Sequence, residues 1–229
     1  MIEHAGLLSM VEPLYLENNI DNICFMSQSS HAQAAVLSPA RTPLHHRRIE
    51  LQGYRRPDGL WDIEGELLDV KQYDYTSADG AARRAGEPLH LMKVRLTVNA
   101  SMTLTDIEAS MVATPFPECQ GGGATLGDLI GTSLASGWRQ TIDRVAGRTA
   151  GCTHIRELLA AMATAAFQTV AHDLTVQRQE RGEPLYPSDT PPPMFGQCKA
   201  WDFDGPVVQR IAPQFAGYRA TVRKPSENA

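Results

Sequence analysis

The hydrophobic residues of this chain change their spacing once, and that change constrains the fold more than any other feature. Over residues 48–113 apolar and polar residues alternate, with the period of about two that is typical of half-buried strands. From residue 126 onward the apolar residues recur at about 3.6-residue spacing, which is typical of amphipathic helices. A run of strands followed by a run of helices predicts an α+β fold with the helices packed on one face of the sheet.

The strand half contains a hairpin and two further strands. The segment "RIELQGYRR" reaches a turn at residues 57–59, and "LWDIEGELLDV" follows with apolar residues on one face and acidic residues on the other. After a polar connection, "LHLMKVRLTV" alternates again, and a turn at residues 99–101 leads into "MTLTDIEASMVA". About four antiparallel strands are therefore predicted.

The helical half begins after a loop rich in Pro and Gly. In residues 126–134, helical spacing is shown by Leu126, Leu129, Ile130 and Leu134. The segment "RQTIDRVAG" adds a short stretch ending at Gly147, and "THIRELLAAMATAAFQTVAHDLTVQRQ" predicts one long helix. The predicted buried stripe of the long helix consists of Ile155, Leu158, Leu159, Met162, Ala166 and Val170.

The length of 229 residues suits one domain with a substantial core and is short for two domains of ordinary size. We expect an N-terminal extension over residues 1–42 and an α+β core domain over residues 43–178. A Pro-rich linker and a C-terminal segment over residues 179–229 are expected to pack on that core.

Composition and charge argue against several partners. A net charge of -5 argues against nucleic acid, because neutralising phosphates requires a basic surface. No apolar run approaches the roughly 18 residues of a membrane-spanning helix, so no membrane association is expected. The first residues carry Glu3 and no early Lys or Arg, unlike a secretory signal, which predicts a soluble, cytoplasmic protein with cysteines that are free thiols or ligands. The sequence leaves open whether the protein forms a homo-oligomer.

The first hairpin carries candidate ligand-binding residues of both charges. In "HHRRIELQGYRR", Arg47 and Arg55 have the chemistry to hold the carboxylate or phosphate of a small acidic ligand. Asp62 and Glu64 share one strand face, where close carboxylates can serve acid–base chemistry. The alternative is a solvated edge strand whose arginines pair with these carboxylates across the hairpin.

The stretch "GCTHIRELL" places a thiol and an imidazole at the start of the long helix. Thr153 is the predicted N-cap, so Cys152 lies at the positive end of the helix dipole, where a thiolate is stabilised. A cation is disfavoured in the first turn, so His154 is expected to be neutral and able to bind a metal or act as a general acid or base. The alternative for Cys152 is a small buried hydrophobe.

Partners for this pair come from two other segments. His90 falls in the same strand phase as Met92 and Val94, so it is expected to face the core and the long helix. Cys119 lies in the loop "PFPECQGGG" at the end of the sheet. Two thiolates and two imidazoles suit Zn or Fe, so the predicted metal ligands are His90, Cys119, Cys152 and His154. The alternative for His90 is a hydrogen-bonded core residue.

The stretches "HHRRIELQGYRRPDGLWDIEGELLDVKQYDY", "GEPLHLMKVRLTV", "SGW" and "GCTHIRELL" together resemble the bacterial family named domain of unknown function 2889, from about residue 45 to residue 168. The resemblance implies counterparts in that family of His45, Asp62, Glu64, His90, Cys119, Cys152, His154 and Cys198. Lys199 departs from the family pattern, which more often has His there. The resemblance further implies an association with acyl-CoA and aromatic-compound catabolism, and so a small aromatic substrate.

The order of the thiols is also similar to that of iron–sulfur assembly scaffolds of the NifU type. This likeness implies that His90, Cys119 and Cys152 take the places of an Asp and two Cys ligands that converge in an α+β fold. Pro88 and Leu89 stand where those scaffolds have their first cysteine, which argues against cluster building and for a single ion.

Three function hypotheses follow. The first is a metal-dependent lyase or hydrolase in which Cys119, Cys152 and His90 bind Zn or Fe, with His154 as the fourth ligand or as a general acid–base. The second is a non-enzymatic metal or sulfur carrier that docks onto a partner. The third is a cofactor-free enzyme with Cys152 as nucleophile and His154 or His90 as base.

Overall fold

The computed structural model describes residues 40–186 and 190–219. Contacts within the chain divide it into two units, Met1–Arg41 and Thr42–Ala229, and only the second is described below. The N-terminal extension predicted for residues 1–42, with Cys24, lies outside the described residues apart from residues 40–42.

The described residues contain six strands: β1 (His45–Arg55), β2 (Trp61–Lys71), β3 (Tyr75–Thr76), β4 (Ala82–Arg83), β5 (Pro88–Val98) and β6 (Leu104–Ala113). An antiparallel sheet has the strand order β1-β2-β5-β6, and β3 and β4 form a separate short pair. The predicted sheet of four antiparallel strands is confirmed. The predicted polar connection between β2 and β5 contains the β3–β4 pair.

In the part of the chain that the structure describes, three helices follow the sheet: α1 (Trp138–Ala146), α2 (Thr153–Glu180) and α3 (Pro206–Ile211). The 28 residues of α2 span about 42 Å. The helix covers the inner face of the sheet with the predicted stripe, which is buried as expected: Ile155, Leu158, Leu159, Met162, Ala166 and Val170. The α+β class with helices packed on the sheet is therefore confirmed.

Two glycines let α2 approach the sheet closely. A Cβ at Gly65 of β2 would lie 2.9 Å from Met162 Sδ and 3.0 Å from Leu158 Cδ1. A Cβ at Gly53 of β1 would overlap the side chain of Thr169, further along the same helix. These contacts show that α2 runs antiparallel to β2, so the first residues of α2 lie over the last residues of β2.

The alternation of β2 assigns its side chains to two faces. Trp61, Ile63 and Leu67 are buried under α2, whereas Glu64 and Glu66 lie on the other face. The register places the odd-numbered residues of β1 and the even-numbered residues of β5 on the same inner face. The phase predicted for His90 is thus confirmed, because Met92 and Val94 are buried there.

The helix predicted over residues 126–134 is wrong. That segment forms a short 3-10 helix, Leu126–Leu129, and then turns at Gly131, which has a positive φ of 86°. Leu134 and the two terminal residues of the 3-10 helix are still buried, but Ile130 is 47% exposed. The apolar spacing is satisfied by a tight turn because two glycines weaken a helix in this segment.

The C-terminal segment has an apolar cluster of its own, separate from the main core. Phe195 stacks on Trp201 with ring centroids 4.5 Å apart, and Phe215 packs edge-on against Phe195 at 5.4 Å.

Across residues 40–186 and 190–219, every helix is too short or too polar to cross a membrane.

Candidate metal centre

Three strands and one helix meet at one end of the inner face of the sheet. The register pairs Arg47 of β1 with Asp69 of β2, and Asp69 with His90 of β5, so these residues form one row across the sheet. The first turn of α2 lies over this row and contributes Cys152 and His154. The inner row and the helix start together define the candidate centre.

Asp69 is the most buried polar residue of the centre, with 2% of its surface exposed. The guanidinium of Arg47 binds it as a fork: Nε donates to Oδ1 and Nη2 donates to Oδ2, both at 2.7 Å. His45 Nε2 lies 3.0 Å from Oδ1. Burial alone would raise the pKa of the Asp69 carboxyl, but Arg47, with smaller contributions from His154 and His45, holds that pKa below its ordinary value.

The imidazoles of His90 and His154 stack face to face beside this carboxylate. Their ring centroids are 3.6 Å apart and their planes are inclined by 27°. His90 Nδ1 lies 3.3 Å from Asp69 Oδ2, and His154 Nε2 lies 3.4 Å from the same oxygen. Although the first distance is within reach, its angle is unfavourable, and the buried Nδ1 of His90 has no hydrogen-bond partner.

Burial keeps both imidazoles neutral near pH 7. It is the main cause that lowers the pKa of His90 to about 4, and the charge of His154 lowers it further against the opposing effect of Asp69. Burial also lowers the pKa of His154, again against the attraction of Asp69. A neutral imidazole keeps a lone pair for a metal ion or for a proton, as predicted for His154.

Cys152 is the N-cap of α2, with extended backbone angles and no capping hydrogen bond from its side chain. Thr153, the predicted N-cap, is instead the first helical residue, so the prediction was wrong by one position. The shift brings the thiol to the helix start itself. Cys152 Sγ lies 3.7 Å from Nδ1 of His154, the ring nitrogen that does not face Asp69.

The loop that carries Cys119 packs directly against Cys152. It forms the 3-10 helix Pro117–Gly123, and Gly122 O accepts a hydrogen bond of 3.2 Å from the backbone N of Cys152. A Cβ at Gly122 would lie 2.8 Å from the Cβ of Cys152, so only glycine allows this approach. A cavity of about 450 Å³ opens between the loop and α2. Its lining includes His90, Met92, Glu118, Cys119, Cys152 and His154.

All four predicted metal ligands therefore line one cavity. Arg47 binds Asp69 and does not line that cavity. The other predicted ligand-binding residues lie elsewhere. Arg55 pairs with Asp173 at 3.2 Å, in the C-terminal half of α2 and away from the helix start. Asp62 and Glu64 lie on the outer face of the sheet, where Asp62 accepts a 2.7 Å hydrogen bond from Thr97.

The expected pairing of carboxylates with arginines across the hairpin occurs on the outer face at Glu66, and Asp62 lies 3.4 Å from Arg56, just beyond the end of β1. Glu66 lies 3.2 Å from Arg48 of β1 and 3.1 Å from Lys93 of β5. Arg47 and Arg55 belong to the other phase of β1 and find their carboxylates on the inner face.

Sequence reasoning missed Asp69. Within the described part of the chain, one group of at least three His, Cys, Asp or Glu residues has all its donor atoms within 4.8 Å of one another: Asp69, His90 and His154. The signal was present, because Asp69 continues the core-facing phase of Ile63 and Leu67 in β2. Cys119 and Cys152 lie outside that group, and Cys152 lies at the far nitrogen of His154.

The model of a family described as a protein of unknown function, DUF2889, matches residues 45–168. The chain belongs to this family. The region matched by DUF2889 holds every residue of the candidate centre, from His45 to His154, whereas Cys198 and the C-terminal aromatic cluster lie beyond it. Neither a curated protein nor a solved structure matches the chain.

Proposed function

We propose that the protein binds one Zn or Fe ion in the cavity at the start of α2 and acts as a small metal-dependent lyase or hydrolase. The ligands are His90, Cys119, Cys152 and His154. The observation that carries the proposal is the 3.7 Å separation of Cys152 Sγ and His154 Nδ1. Two such atoms bound to one tetrahedral Zn, at about 2.3 and 2.0 Å, lie about 3.5 Å apart.

The surroundings of the ligands support a reactive site over a carrier. The cavity of about 450 Å³ beside the ligands has the size of a pocket for a small molecule. A metal that expands to a fifth, exchangeable position beside its four protein ligands would polarise a carbonyl or activate water there. The association with acyl-CoA and aromatic-compound catabolism that the family resemblance implies makes small acidic or aromatic acyl compounds the substrates to try first.

Metal content tests this proposal directly. The full chain is purified under reducing, chelator-free conditions and analysed for metals, together with Cys152→Ala and Cys119→Ala. The matched control is Cys198→Ala, since Cys198 is an exposed free thiol that does not line the cavity. We expect one Zn or Fe per chain in the wild type and the control and a clear loss in the two cavity variants. Absence of stoichiometric metal from the wild type would reject the proposal.

A second candidate function is favoured by the order of three side chains. Cys152, His154 and Asp69 follow one another at 3.7 and 3.4 Å, as nucleophile, base and orienting carboxylate do in cofactor-free thiol enzymes. In that case Cys152 reacts with iodoacetamide much faster than Cys198 in metal-free protein, and His154→Ala removes the difference. Equal rates for the two thiols would exclude this candidate.

A further inference from the structure

We infer that Asp69 is a positioning residue that fixes the tautomers of His90 and His154, so that both imidazoles present their lone pairs to the cavity. The inference deepens the proposed function and rests on it for the ion, whereas the tautomers can be measured without any metal. Asp69 is not itself a ligand in this arrangement.

The first step concerns the hydrogens on the two rings. One oxygen of Asp69, Oδ2, lies 3.3 Å from His90 Nδ1 and 3.4 Å from His154 Nε2. A bare ring nitrogen at either place would set its lone pair against the negative oxygen. A nitrogen that carries hydrogen is instead attracted to the carboxylate at these distances, even though the geometry at His90 Nδ1 falls short of a hydrogen bond.

The second step follows from the stacking of the rings. Two imidazolium cations at 3.6 Å would repel each other strongly in a half-buried place, so at most one ring is charged at a time. A neutral imidazole has one N–H and one lone pair. With the N–H groups on the Asp69 side, the lone pairs lie on His90 Nε2 and His154 Nδ1. The latter nitrogen is the one that Cys152 Sγ approaches.

The third step compares this arrangement with an ion held directly between Asp69 and the two histidines. The fork of Arg47 already occupies both oxygens of Asp69 at 2.7 Å, and its positive charge would repel a dication bound to the same carboxylate. The cavity side instead offers the thiols of Cys119 and Cys152, whose thiolates would neutralise a dication. A carboxylate behind a metal-binding imidazole is the common outer partner of such sites.

Nitrogen NMR of the metal-free wild-type protein, labelled with ¹⁵N-histidine, tests the tautomers at neutral pH. We expect hydrogen on Nδ1 of His90 and on Nε2 of His154. In Asp69→Asn both rings should shift toward a mixture of tautomers. Hydrogen on Nε2 of His90 in the wild type would overturn the inference, whatever the metal content of the protein.

Titration with Co²⁺ tests the consequence for the ion. Asp69→Asn should weaken Co²⁺ binding about 10- to 100-fold while the thiolate-to-cobalt charge-transfer absorption is retained at saturation. The matched control is Asp62→Asn, which changes a carboxylate of the same strand on the outer face and should bind Co²⁺ like the wild type. Unchanged affinity in Asp69→Asn would overturn the inference. A wild-type complex without thiolate absorption would also overturn it, because Asp69 would then be a direct ligand. If the wild type binds no Co²⁺, the proposed function fails and the NMR result alone decides the tautomers.

Discussion

Acid should destabilise the metal-free protein in a way that depends on one imidazole. The pKa of His90 falls from 6.5 to about 4 on folding, mainly because the ring is buried and then because His154 lies against it. Between these values the unfolded chain binds more protons at this position than the native protein does. Stability from neutral His90 is therefore fully present above pH 6.5 and is lost as the pH falls toward 4.

The size of the effect follows from the same two values. A gap of 6.5 against about 4 corresponds to roughly 3 kcal/mol of unfolding free energy. The side chain of His90 keeps 14% of its surface exposed, so solvent screening reduces the expected loss to about 2 kcal/mol. His90→Asn removes the titrating group and keeps an N–H near the position of Nδ1, facing Asp69.

Urea unfolding of the metal-free, reduced protein in steps from pH 7 to pH 4.5 measures the effect. The wild type should lose about 2 kcal/mol more than His90→Asn over this range. His46→Asn, an exposed histidine of β1, shows whether the loss is specific to His90. If the wild type and His90→Asn fall in parallel, within about 0.5 kcal/mol, the burial argument for His90 is refuted.

Two further predictions separate the centre from the rest of the fold. Gly122→Ala should lower the metal content, because the new Cβ would lie 2.8 Å from the Cβ of Cys152. Gly121→Ala should leave the metal content unchanged, because nothing lies within 4 Å of a Cβ at that position. Metal analysis of both variants tests this prediction. Asp173→Ala should reduce the free energy of unfolding by about 1–3 kcal/mol, because the indole N–H of Trp61 loses its 2.9 Å acceptor. Urea unfolding measures that loss, and an altered metal content in this variant would contradict the separation of the two ends of α2.

The fold followed from the sequence wherever one face of an element was apolar. Alternation in β2 and β5 was readable because one phase of each strand packs under α2, and the buried stripe of α2 was readable for the same reason. Residues 126–134 were misread because buried leucines at helical spacing also suit a 3-10 turn. Periodicity records which residues are buried, and it does not record the backbone path between them.

The four predicted metal ligands line one cavity for reasons that the sequence carried, but among the described residues no three of them have all their donor atoms within 4.8 Å of one another. His90 lies in the core-facing phase of β5, and the start of α2 has to lie near one end of the sheet that the helix covers. Cys119 follows β6 and precedes the helices, so its loop lies at that end too. The distances among the ligand atoms depend on the close approach at Gly122, which no pattern in the sequence indicated.

Asp69 has two pairing partners across the sheet, and the sequence allowed one of these pairings to be predicted but not the other. A carboxylate in the buried phase of β2 demands a partner, because an unpaired buried charge is very costly. The turn at residues 57–59 sets Arg55 opposite Trp61, and counting back along the hairpin sets Arg47 opposite Asp69. This pairing was therefore predictable from the turn. The pairing of Asp69 with His90 was not, because the segment between β2 and β5 contains the β3–β4 pair, and a connection of that length leaves the register free. The register of β2 and β5 is set instead by matching buried faces under α2, so the carboxylate of Asp69 and the imidazole of His90 meet as a consequence of core packing.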